Sequence, residues 1–92
     1  MQTPAILSVL GADRIGIVAG ITRVLADSSA NIEDIRQTII SGIFSMTMLI
    51  TVNEDKTPFD ELQRRLEALA RELDGLQVTL QREDVFRYMH RI

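Results

Sequence analysis

The chain has 92 residues, 46% of them hydrophobic and 25% charged, with a formal net charge of −3. That length supports one domain with one modest core, burying roughly 60–70% of the surface of the unfolded chain. The absence of cysteine excludes a disulfide framework, thiolate metal sites and cysteine nucleophiles, and the ten basic residues are too interspersed with acids to form a nucleic-acid-binding face.

In chain order, Met1-Gln2-Thr3-Pro4 has no signal-peptide pattern, and no later apolar stretch is long enough to span a membrane. A cytoplasmic protein with no membrane partner is expected. Ala5 to Leu10 is almost continuously apolar and reads as a strand in the middle of a sheet. It ends at Gly11. Ile17, Val18, Ile21, Val24 and Leu25 then recur at helical spacing. Small residues Ala19, Gly20 and Ala26 would let this helix lie close to a neighbour. Between strand and helix stands a turn with glycines at positions 11 and 16 and an Asp13-Arg14 pair inside. Such a turn presents unpaired backbone N–H groups and the positive end of a helix dipole, which suits a carboxylate or other anion.

Asp27-Ser28-Ser29-Ala30-Asn31 reads as a loop. A second strand runs from about Ile32 to Ile40 with imperfect alternation, because Asp34, Arg36 and Thr38 share a face with isoleucines. Ser41-Gly42 gives a two-residue hairpin. In the third strand Phe44, Met46, Met48, Ile50 and Val52 face the core. Ser45, Thr47, Leu49 and Thr51 face the other way. The two methionines are core filling.

After a polar loop, Asn53-Glu54-Asp55-Lys56, Thr57 is expected to cap a helix with Pro58 at its first position. Phe59, Leu62, Leu66, Leu69 and Leu73 form its apolar face. Asp60–Arg64, Glu61–Arg65 and Glu67–Arg71 lie at i, i+4 on its solvated face. Gly75 follows the helix end. Leu76, Val78 and Leu80 alternate with Gln77, Thr79 and Gln81 in a fourth strand. A short helix, about Glu83 to His90, carries Val85, Phe86 and Met89 on one side. The tail's basic residues Arg82, Arg87, His90 and Arg91 are interrupted by Glu83 and Asp84, so no nucleic-acid partner is expected. A lone histidine without cysteines makes a poor metal site, and Asp13, Glu33 and Asp34 match no cation-binding loop. No metal or cofactor is expected.

The order β-α-β-β-α-β with right-handed crossovers predicts an α+β, ferredoxin-like sandwich. Both helices cover one face of a four-stranded antiparallel sheet, and a C-terminal helix is added. The half-apolar open face and the apolar last helix suggest a homodimer.

Asp13-Arg14-Ile15-Gly16-Ile17-Val18, followed by the first helix and then Asn31-Ile32, resembles the ACT domain. The likeness covers nearly all of residues 1–92, one ACT-like domain. It is similar to the ACT units of the glycine cleavage system transcriptional repressor and of formyltetrahydrofolate deformylase. The resemblance implies a βαββαβ module that binds an amino acid or related small molecule and regulates other proteins. The sequence ends after one such unit, so regulation is expected to act through the oligomer or an unknown protein partner.

The expected site places a ligand carboxylate against the N–H groups of Ile15, Gly16, Ile17 and Val18. The ligand amino group would meet Asn31 or Asp13, with Ile32 supplying backbone polar groups and the second strand of another subunit lying alongside. Asp13 could instead cap the first helix, Arg14 could pair with a carboxylate or simply be solvated, and Asn31 could be only a turn residue. Two alternatives stand beside this. One is a pure assembly module whose turn binds nothing. The other is an acylphosphatase-like hydrolase using Arg14, which lacks the asparagine that chemistry needs, since the third strand reads Ser45-Met46-Thr47. Gly11-x-x-x-x-Gly16 is followed by Ile17-Val18 where a P-loop has Lys-Ser/Thr, so no nucleotide site is read. The protein is expected not to be an enzyme.

Overall fold

The structure, a computed structural model, describes residues 2–73 and 75–89, the Met89 side chain excepted. The expectations for Met89, His90 and Arg91 fall outside the described residues. The elements are β1 (Gln2–Ala12), α1 (Ile17–Asp27), β2 (Ala30–Ile40), β3 (Ile43–Asn53), α2 (Phe59–Glu72), β4 (Gln77–Arg82) and α3 (Glu83–Met89). The strands pair antiparallel in the order β2-β3-β1-β4. This is the ferredoxin-like arrangement that the element order predicts.

β1 and β3 are the central pair, matched without interruption from Gln2↔Asn53 to Ala12↔Ile43. Thr3, Ala5, Leu7 and Val9 of β1 are buried, as are Phe44, Met46, Met48, Ile50 and Val52 of β3. Ile17, Ile21 and Leu25 of α1 and Phe59, Leu62 and Leu66 of α2 complete the core. The apolar run Ala5–Leu10 is only the middle of β1, and it is buried on one face. Ile6 and Ser8 are half-buried and Leu10 is exposed, because no helix layer covers the second face.

The hairpin falls where Ser41-Gly42 predicts it. Both residues take positive φ, 51° and 78°, the combination that matches the twist of the flanking strands. The broken alternation of β2 has a cause. The register slips between Ile32 and Asp34, leaving Glu33 as an extra residue. Such a bulge changes which parity faces the helices. Ala30 and Ile32 face them before it, and Ile35, Gln37 and Ile39 after it. Every residue from Asn31 to Ile40 is nonetheless exposed, because β2 lies at the sheet edge, beyond the cover of α1 and α2.

Two expectations at the start of α2 are corrected. Thr57 does not cap the helix, and Pro58 is not its first residue. Pro58 itself holds the cap position with ψ 146° and offers no side-chain cap, and the Glu54 carboxylate instead accepts a hydrogen bond from the backbone of Phe59, the first helical residue. Thr57 is buried and its amide donates to the Asn53 carbonyl at 3.0 Å, so it belongs to the preceding turn. Of the three expected i, i+4 pairs, Glu61–Arg65 closes, at 3.0 Å. Arg65 also donates to the hydroxyl of buried Ser28 at 2.8 Å, tying the α1–β2 connection to α2. Gly75, at φ 79°, donates its amide to the Ala70 carbonyl at 2.9 Å and closes the helix C-terminus.

The opposite end of the sheet is fastened by Glu54. It accepts hydrogen bonds from the Thr3 hydroxyl and, at 3.0 Å, from Arg82, whose guanidinium lies 4.2 Å from the centre of the Phe59 ring. The Thr3 hydrogen bond, and then the Arg82 charge, hold the Glu54 carboxyl below its ordinary value of 4.5.

Two outcomes follow from this packing. Leu7→Ala empties a fully buried position in the central strand and should cost about 2–5 kcal/mol in urea-induced unfolding. Glu54 has a folded pKa below its unfolded one, so its contribution is present above the ordinary value and lost as pH falls through the lowered one. Wild type should therefore lose more stability than Glu54→Gln between about pH 6 and about pH 3, read from denaturant midpoints. Equal losses would show that Glu54 is not coupled to folding.

Candidate functional site

The β1–α1 turn spans Asp13 to Gly16. Its entry is fixed from outside, because the Asp13 amide donates to the Gly42 carbonyl of the hairpin at 2.8 Å. Its exit is fixed by Gly16, which holds the N-cap position of α1 at φ 96° and ψ −3°, with its carbonyl accepting the Gly20 amide at 2.8 Å. That left-handed conformation is one glycine adopts freely and other residues adopt at a cost.

α1 begins with no side-chain cap and no acidic residue in its first turn. The amides of Ile17, Val18 and Ala19 precede any carbonyl four residues back within the helix, so the positive end of the dipole has no compensating anion within α1. The buried Ile17 side chain and half-buried Val18 anchor the first helical turn, while Ile15 is 98% exposed.

The expected Asp13 cap is not formed. Gly16 occupies the cap position three residues further on, which leaves the Asp13 carboxylate exposed and without a hydrogen bond or ion pair among the described residues. Arg14 is exposed beside it. Gly11 has a packing reason. A Cβ there would stand 2.4 Å from Cδ2 of Leu76, which closes over the end of β1.

A cavity of about 390 Å³ opens next to the turn, lined by Gly11, Ala12, Asp13 and Arg14 and by Leu73, Gly75 and Leu76. The last three come from the α2–β4 connection. Sequence reasoning assigned them to the helix end and the fourth strand, and no local pattern marks them as neighbours of the first turn.

Asn31 and Ile32 are not at this site within one chain. Asn31 pairs with Thr51, whereas Gly11 pairs with Phe44, seven positions along β3. At strand rise this is roughly 23 Å. The Asn31 side-chain amide instead donates to Glu33 at 2.8 Å, and the Thr51 hydroxyl donates to the same oxygen at 3.0 Å. The bulge residue thus gathers a small polar cluster at the opposite end of the sheet. Among the described residues no three His, Cys, Asp or Glu side chains could hold a metal ion, and no helix is long and apolar enough to cross a membrane.

The geometry separates structural from available groups. Asp13→Ala should change unfolding free energy by less than about 0.5 kcal/mol, since its exposed side chain makes no hydrogen bond or ion pair among the described residues. Gly16→Ala should cost about 1–2 kcal/mol through φ alone, because an added Cβ meets no atom within 4 Å. Denaturant unfolding of the two variants checks both values.

A family model described as the ACT domain matches residues 3–81. A UPF0237 protein of Methanocaldococcus jannaschii is 52% identical over 87 residues, covering 95% of this chain and 96% of that protein. Among solved structures, an ACT domain protein from Streptococcus pneumoniae superposes with a TM-score of 0.75 at 32% identity, over 91% of this chain and 93% of the other. A formyltetrahydrofolate deformylase from Burkholderia mallei shares the fold, with a TM-score of 0.75 at 17% identity over 87% of this chain and 28% of that one.

Proposed function

This chain belongs to the ACT domain family, and from that membership we propose that it is a cytoplasmic regulatory protein, not a catalyst, that binds a small effector of the amino-acid type at the Asp13–Val18 turn and works as a homodimer or on a protein partner. The observation that carries this reading is the start of α1. Its first amides point out from a glycine-held turn with neither a capping side chain nor an acid to compensate them. An effector carboxylate is the group that such amides and the helix dipole favour.

The roles follow from position. The effector carboxylate lies against the amides of Ile15, Gly16, Ile17 and Val18. Its amino group faces the Asp13 carboxylate, which has no hydrogen bond or ion pair among the described residues. The cavity reaching to Leu73 and Leu76 offers an apolar wall for the rest of the molecule. Asn31 and Ile32 lie at the far end of their own sheet, so they join this site only from a second copy.

Thermal unfolding against the twenty amino acids at millimolar concentration tests the reading. A ligand at 100 times its dissociation constant stabilises by about 2.7 kcal/mol, a shift of several degrees in a chain of this size. Gly16→Val should abolish the shift while far-UV circular dichroism stays near that of wild type. A persistent shift in the folded variant would move the site elsewhere. No shift from any amino acid would leave a module that assembles without an effector.

A further inference from the structure

The side-chain hydrogen bonds of α2 fasten one layer of the fold to another. Gln63 donates to the Leu80 carbonyl of β4 at 3.0 Å, and Arg65 donates to the Ser28 hydroxyl at 2.8 Å. The cluster at the β2 bulge joins no helix to the sheet. Asn31 and Thr51 are a matched pair on the open face, and Glu33, which has no residue opposite it on β3, reaches both. One Glu33 oxygen accepts the Asn31 side-chain amide at 2.8 Å and the Thr51 hydroxyl at 3.0 Å. A carboxylate can only accept, so it fixes which end of the Asn31 amide faces it. The NH2 group is turned in. The Asn31 carbonyl oxygen is turned away, exposed and without a hydrogen bond among the described residues.

We propose that Glu33 is a positioning residue for effector recognition: by holding the Asn31 NH2 group, it presents the Asn31 carbonyl oxygen to the amino group of an effector bound at the Asp13–Val18 turn of a second copy. This rests on the effector reading above, in which Asn31 reaches that turn only from another chain. An ammonium group donates in three directions and accepts in none. The Asp13 carboxylate meets one N–H, and the Asn31 carbonyl meets a second. An unheld asparagine offers either end of its amide, and the NH2 end repels an ammonium. Glu33 removes that orientation before the effector arrives, and the Thr51 hydroxyl keeps the carboxylate in place to do so. The consequence is selectivity. The turn amides hold any carboxylate, whereas only a compound with an amino group gains from the Asn31 carbonyl. The held amide therefore separates an amino acid from the acid that lacks only its amino group.

Titration calorimetry of the full chain tests this. The probes are the twenty amino acids and, for each one that binds, the carboxylic acid lacking only its amino group. Wild type should prefer the amino acid by about tenfold or more. Glu33→Ala should remove about tenfold of that preference through weaker binding of the amino acid, with the affinity for the deaminated acid unchanged. That unchanged affinity also shows that the variant is folded. Asn31→Ala should lose the preference as well, and adding Glu33→Ala to it should cost nothing further, because Glu33 acts through Asn31. Glu33→Gln, which keeps an acceptor for the Asn31 amide, should retain part of the preference. An unchanged preference in Glu33→Ala, equal weakening of both probes, or additive losses in the double variant would overturn the role of Glu33 and leave the effector reading standing. Absence of binding by any amino acid to wild type would overturn the effector reading, and the role of Glu33 with it.

Discussion

The uninterrupted pairing of β1 with β3 is the constraint on which the remainder rests. Eleven matched positions set every second side chain of two central strands against the helices. A slip of one residue would turn either Leu7 and Val9 or Met46 and Met48 away from the helices. That register also decides what lies at each end. It brings Ala12 beside Ile43, and so brings the first turn within reach of the hairpin. The Asp13–Gly42 hydrogen bond then holds the turn. The turn is thus a product of long-range pairing, although its sequence looks local.

Most of the fold was readable because its periods are clean. β3 alternates strictly, α2 repeats apolar residues at three- and four-residue steps, and Ser41-Gly42 satisfies a turn that needs positive φ twice. The ACT resemblance agreed with that pattern, and the family match spans residues 3–81. β2 was harder to read because a bulge shifts its parity at Glu33, and a bulge leaves only irregularity in a sequence. Thr57 and Asp13 misled for a shared reason. Both residue types cap helices in general, yet here Pro58 and Gly16 fix the helix starts by backbone conformation, and the side chains one and three residues earlier are left over.

The candidate site was legible in one half only. The turn announces itself through two glycines and a following helix. Its cavity wall at Leu73 and Leu76 arises from the α2–β4 connection, some sixty residues away in sequence, and single-chain patterns carry no such proximity. Asn31 and Ile32 follow α1, which runs back along the sheet, so they arrive at the end from which β1 departs. The helix length therefore separates the two halves of the motif within one chain.

The Gln63 contact with the Leu80 carbonyl has a consequence for the colloidal behaviour of the protein. Open-ended growth by strand addition needs two receptive borders on every molecule, since each newcomer must offer a fresh one. Here one border carries a side chain where a neighbouring backbone would have to bond. A molecule with one such occupied border cannot be extended by strand addition on both sides at once. Removal of the Gln63 amide would uncover the Leu80 carbonyl and leave both borders open to strand addition.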